Sequence, residues 1–398
     1  NALWLSWFSA GITSDCMLNS LRTLKLCLSQ CWLVVMLFVV SQSAAADWLD
    51  DYASHVKKEA SKYNVPGYAF VFYEQGKAPR VYVYGRTQKK GGERVTQDTV
   101  FRLASVSKTF TALLSAKLVE KKQLSWETPI STLLPDIPFN GKGMGALQLQ
   151  HIVGQSSGFM PNAYDNLIEA DYSLERVLKS LGELEPLCVP GECYTYQNAL
   201  FGALEYYFSN NNTSYSRQMQ ANLFTPLGMN TASVGKGGLL ASDSWAHPHI
   251  AIARNKWREG KVESNYYRFS PAAGVNASIS DMTTYLQALL GEFPTVMSKE
   301  MVDFVTTERV RTKRETYRRG WRGMIDDAHY GLGWRIYDIN GMKLNYHGGW
   351  VKGYRADVAF SPERKVGYVM LMNAESNMIN STTAELWKRY LKKADAAN

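Results

Sequence analysis

Strand-forming segments crowd both ends of this 398-residue chain, and a long middle with helical patterning keeps them apart. Near the start, YAFVFYEQG and RVYVYG are β-branched and aromatic runs around a Gly-Lys-Ala-Pro turn, which predicts an antiparallel hairpin. Near the end, YGLGWRIYDING, MKLNYHGG, YRADVAFSP and KVGYVMLMN are further strand-like segments set off by turn residues. Strands at both ends predict one sheet drawn from both termini. KTFTALLSAKLVEKKQ and ISDMTTYLQALLG, within residues 109–290, predict a mainly helical inserted subdomain beside it, with a cleft at the junction. Amphipathic helices are expected over Trp48–Tyr63 and Thr382–Lys393. No Pro/Ser/Gly-rich linker and no fixed-period repeat divides the chain, so one compact unit is the simplest organisation.

From Met17 the chain shows two positive charges (Arg22, Lys25), an apolar run Cys31–Val40, and then SQSAAAD. This is the pattern of a secretory signal cleaved after Ala46. The run is well short of the ~20 apolar residues that span a bilayer. Residues 1–16 are read as a mis-called upstream start, 17–46 as the signal and 47–398 as the folded domain. A periplasmic or secreted product without a stable membrane anchor is expected. Cys16, Cys27 and Cys31 precede the cleavage point, leaving Cys188 and Cys193 around VPGE. In an oxidising compartment those two predict a local disulfide, with two free thiols as the alternative. Of 44 basic and 36 acidic residues, Arg22, Lys25 and Asp15 fall before Asp47, leaving 42 against 35 and a net charge of +7. That balance favours an anionic envelope or anionic substrates; without a nucleic-acid motif, no nucleic acid partner is expected.

The chemistry begins at Ser105-Val-Ser-Lys108. If Ser105 opens a helix, Lys108 lies on the same face one turn on, where a partly desolvated amine can take the proton that makes a serine hydroxyl nucleophilic. Tyr196-Gln-Asn198 and His347-Gly348-Gly349 are each weak signals alone. In this order they resemble one family. FRLASVSKTFTALLSAKLVEKKQLSWETPISTLLPDIP resembles the nucleophile segment of class C β-lactamases, D,D-peptidases and related esterases. ECYTYQNALFGALEYY resembles their Tyr-x-Asn motif, and HGGWVKGYRADVAFSP is similar to their Lys-Thr-Gly strand. LQLQHIVGQSSGF, NLFTPLGMNT, SPAAGVNASISDM and YGLGWRIY extend the likeness over roughly residues 60–390.

The resemblance implies an α/β (α+β) serine β-lactamase-like fold, its antiparallel sheet flanked by helices. It also implies an acyl-enzyme on Ser105, with Lys108 and Tyr196 moving protons and Asn198 donating to a substrate amide oxygen. The backbone N–H groups of Ser105 and Trp350 would form the oxyanion hole. No cofactor is called for. The expected reaction is class C-like β-lactam hydrolysis, with a D,D-carboxypeptidase, an esterase, or a slowly deacylating penicillin-binding sensor as alternatives. The expected partner is a small β-lactam or D-Ala-terminated peptide, bound by a monomer.

One departure stands out. His347 replaces the family's lysine and Gly348 its threonine, and an imidazole is mostly neutral near pH 7. Lys352, Arg355 and the basic run Arg309–Arg322 are candidate substitutes for the lost charge, the run being read as a solvated loop. His247-Pro-His249 lacks a carboxylate or cysteine partner nearby in sequence, so no metal is expected. His151 is read as a packed core residue.

Overall fold

The fold rests on eight antiparallel strands whose spatial order interleaves the two chain ends: Arg80–Gly85, Gly67–Glu74, Val366–Met372, Tyr354–Ser361, Met342–Val351, Arg335–Ile339, Asp327–Tyr330 and Val310–Arg311. The join is the pairing of Gly67–Glu74 with Val366–Met372, in the register Ala69 to Leu371. This computed structural model describes residues 47–397. The upstream start at 1–16, the signal at 17–46 and Cys16, Cys27 and Cys31 all lie outside the described residues. Within this range, residues 53–397 form one compact unit.

Tyr354–Ser361 and Val366–Met372 are buried at every position, so both faces of the sheet centre are covered. This explains why VAF and VGYVMLM read as continuous apolar runs rather than alternating ones. The expected hairpin and the helix Trp48–Lys62 are present, and the closing helix runs over Met378–Ala397. The middle departs from a purely helical reading. Phe101–Arg102, Val275–Ala277 and Ser233–Val234 form a three-stranded sheet, and His249–Ala253 pairs with Lys256–Glu259.

The helix Ser107–Glu120 is buried around most of its circumference, which is why it carries no sharp apolar stripe. Its hydroxyls are satisfied by neighbours. Thr111 Oγ1 lies 2.7 Å from Tyr215 Oη and donates to Pro271 O at 2.7 Å, and Thr109 Oγ1 accepts from Tyr285 Oη at 3.0 Å. Phe110 stacks on Tyr285 with ring centroids 4.0 Å apart. Tyr285 lies on the helix Ile279–Leu289, which starts in a Ser278/Asp281 capping box. Phe110→Ala removes this stack and leaves a cavity in the helical layer. Urea unfolding should show a loss of about 3–5 kcal/mol with an unchanged m-value.

Candidate active site

The strand Phe101–Arg102 ends with Leu103 N–H donating to Val275 O at 2.9 Å. Ala104 then adopts a left-handed φ of +49°, and one 3-10 turn, Ala104–Val106, precedes the helix Ser107–Glu120. Ser105 therefore sits in the turn before the helix, where it was expected to open the helix itself. One turn still brings Lys108 round beneath it. A left-handed alanine costs roughly 1–2 kcal/mol, retained here where the chain must aim one side chain.

The Lys108 ammonium is fully enclosed and donates to Ser105 Oγ at 3.1 Å, Asn198 Oδ1 at 2.7 Å and Ala272 O at 3.0 Å. Burial lowers its pKa, opposed in part by Tyr196 and Asp165. Asn198 in turn donates through Nδ2 to Asp165 Oδ2 at 2.8 Å, so one of its two amide hydrogens is committed and one remains for a substrate. Burial pushes Asp165 up to about 6. The Tyr196 ring lies beside the ammonium, its centroid 5.0 Å from Lys108 Nζ. Burial raises its pKa, but Lys108 and Arg335 outweigh burial and bring the phenol below its ordinary value.

The strand Met342–Val351 forms the opposite wall. Its pairing with Arg335–Ile339 ends at Tyr346, whereas its pairing with Tyr354–Ser361 continues to Val351. From His347 onward one edge is thus free of a neighbouring strand. A Cβ on Gly349 would lie 2.3 Å from Leu103 O and 3.2 Å from Ser105 N, so only glycine lets this strand approach the Ser105 backbone. Trp350 follows, 65% exposed and on the wall of the same cavity as Ser105.

Residues 50–390 match the family described as Beta-lactamase. The chain belongs to the beta-lactamase family. A beta-lactamase of Escherichia coli (strain K12) is 26% identical over 352 residues, covering 78% of this chain and 84% of that protein. The Unguisins hydrolase ungD' of Aspergillus campestris (strain IBT 28561) is 23% identical over 367 residues, covering 89% of this chain and 67% of its own. The octameric penicillin-binding protein homologue from Pyrococcus abyssi shares the fold, with a TM-score of 0.73 at 21% identity over 85% of this chain and 77% of that one. The protein is a serine hydrolase.

Within this family the His347 site shows where the missing charge has gone. His347 is fully buried, and burial, Arg335 and Lys108 hold its pKa well below the ordinary value. Its Nδ1 donates to Gly348 O at 3.0 Å, while Arg335 Nη1 and Tyr330 Oη reach Nε2 at 3.3 and 3.1 Å. Because guanidinium only donates, Nε2 is the acceptor and the ring is neutral. Arg335 supplies the fixed cation from the adjacent strand. Of the proposed substitutes, Lys352 is paired with Glu263 at 2.7 Å, and Arg355 is held by Asn377 and Asn380 at 3.4 and 3.1 Å. No local pattern in YGLGWRIY marks Arg335, because its opposition to Tyr346 depends on strand register.

The Arg309–Arg322 run is only partly a solvated loop. Arg311, Lys313, Arg314, Glu315 and Arg318 line the cavity, about 1600 Å³ in volume, that also exposes Ser105, Tyr196 and Asn198. The acid inside the run is what draws it in. Glu315 receives Arg335 Nε and Arg318 Nη1 at 3.3 Å each and the Tyr337 hydroxyl at 2.7 Å. Burial raises the Glu315 pKa, yet these partners hold it at about 2. Arg318 Nη2 donates to Tyr346 Oη at 2.9 Å, and a Cβ on Gly348 would meet that oxygen at 2.5 Å. The Arg318–Tyr346 pair thus fills the space a threonine would need.

The loop leading to Tyr196 is braced by the Cys188–Cys193 disulfide. It is also templated by residues 155–158: Leu187 N donates to Gly158 O at 2.7 Å and Thr195 N to Gln155 O at 2.8 Å. The remaining histidines are structural. His247 does have a carboxylate partner, Glu259 at 2.9 Å, brought to it by the hairpin, but no cluster able to hold a metal occurs among the described residues. His151 is half-buried and caps the helix Leu149–Val153, accepting from Gln148 N at 3.2 Å, rather than packing in the core.

The depressed Glu315 pKa sets the sign of an acid effect. Its ion pairs contribute fully above the unfolded value of 4.5 and are lost as pH falls toward about 2. Glu315→Gln should cost about 3 kcal/mol at pH 7, and chemical denaturation should show the gap to wild type closing over that acid window.

Proposed function

We propose that the hydrolase works through an acyl-enzyme on Ser105 and hydrolyses carboxylate-bearing β-lactams in the manner of class C enzymes. The observation that carries this reading is the contact of Lys108 Nζ with Ser105 Oγ at 3.1 Å, with the Tyr196 ring centroid 5.0 Å from the same ammonium. The lowered pKa beside an ammonium lets Tyr196 act as a phenolate, which accepts the Ser105 proton as the oxygen attacks the carbonyl. The backbone N–H groups of Ser105 and Trp350 receive the developing oxyanion, and Tyr196 returns the proton to the leaving nitrogen. Water then releases the acyl group. Arg335, with Arg318 behind it, takes the carboxylate in place of the family's lysine.

A second reading is supported by size. Pockets for small ligands are about 300–1,000 Å³, and a cavity of about 1600 Å³ also accommodates a D-Ala-terminated peptide. Eight basic against five acidic residues on the wall favour an anionic substrate in either case. The Cys188–Cys193 bond supports a periplasmic or secreted location, since such bonds persist in oxidising compartments.

Ser105→Ala should abolish covalent labelling by a fluorescent penicillin, and labelling that persists on intact mass analysis places the nucleophile elsewhere. Tyr196→Phe should slow acylation by about 10²-fold or more with an unchanged melting temperature. Stopped-flow nitrocefin kinetics separates this from slow deacylation, which gives a burst without turnover.

A further inference from the structure

Arg102 has no part in the reaction proposed above, yet it is a cation set into the wall of the same cavity. It lies three positions before Ser105 and is 2% exposed. Its Nε and Nη2 are shut off from solvent without a hydrogen-bond acceptor, which leaves Nη1 to reach the cavity. An aromatic face, not a carboxylate, meets the charge: Cζ lies 3.8 Å from the Tyr267 ring centroid.

The acids at this end are occupied. Glu263 receives Lys352 through Oε1 at 2.7 Å and Asn265 through Oε2 at 3.2 Å. Glu375 accepts from the Gly353 and Ala251 backbone N–H groups. Even the Tyr267 hydroxyl is turned away, donating to Asn276 at 2.6 Å. Stacking on one ring recovers only part of what burying a guanidinium costs, so this charge calls for an anion that the protein itself does not provide.

The position of Arg102 indicates which part of a substrate would supply that anion. In the reaction proposed above Tyr196 protonates the leaving group, and its ring centroid lies 6.4 Å from that of His347. The strand Met342–Val351 meets the Ser105 backbone at Gly349, beyond His347, so we assign the group that stays on Ser105 to the Trp350–Lys352 end of the cavity. Lys352 is tied through Glu263 to the segment that carries Tyr267, and hence to Arg102. We propose that Arg102 is a specificity-determining residue that binds a carboxylate on the acyl half of the substrate. This rests on the Ser105 acyl-enzyme reading.

The probes are p-nitrophenyl hydrogen glutarate, whose acyl group ends in a carboxylate, and its methyl ester, which differs only in lacking that charge. Wild type should prefer the acid in kcat/KM by about tenfold or more, as a charge-assisted hydrogen bond in an enclosed site provides. In Arg102→Met the ratio should fall to near one. Arg102→Lys, the alternative if the methionine variant does not fold, keeps the charge without the planar stacked fork and should give an intermediate ratio. Equal turnover of both probes by wild type, or a ratio that survives in both variants, overturns the subsite while leaving the acyl-enzyme intact. Failure of wild type to turn over either ester, with no labelling of Ser105, overturns the underlying reading and the subsite with it.

Discussion

A single buried ammonium organises this molecule. Lys108 is fully enclosed, and an enclosed charge costs several kcal/mol unless oxygens surround it. Here three oxygens do so, from Ser105 in the turn before its own helix, Asn198 in the loop after Tyr196, and Ala272 in the SPAAG segment. Each comes from a separate part of the chain. The segments that carry Ser105, Asn198 and Ala272 must therefore pack together before the ammonium is satisfied, and the same packing brings the Tyr196 ring centroid to 5.0 Å from Lys108 Nζ.

The second organising feature is a relocated charge. Replacing a strand lysine by His347 leaves a neutral ring, because burial and two nearby cations oppose its protonation. Positive charge returns from the neighbouring strand as Arg335, which touches His347, lies 5.3 Å from the Tyr196 ring centroid and pairs with Glu315. One guanidinium thus lies against His347, Tyr196 and Glu315 together. Glu315 holds Arg335 and Arg318 side by side, and Arg318 in turn fills the space left by Gly348. The glycine and the arginine run are two halves of one substitution.

Much of this was legible from local pattern. A Ser and a Lys three apart on a helix turn share a face whatever surrounds them, and strand-forming runs at both termini leave few ways to build a sheet other than the observed one. The Tyr196–Asn198 pair was legible by resemblance. The Arg309–Arg322 run was harder to read, since consecutive charges look solvated until the acid among them finds a partner. Glu315 finds it in Arg335, twenty positions along and two strands over, and that contact turns part of a loop into a wall.

By itself the sequence determined the elements, the pairing of Ser105 with Lys108, and the family, because these rest on spacing between near neighbours or on contiguous motifs. Only the tertiary structure decided which cation lies against His347, which carboxylates are already paired, and that Arg102 has none. Those outcomes depend on strand register and on the docking of distant segments such as Tyr267 against Arg102, and no short-range pattern encodes either.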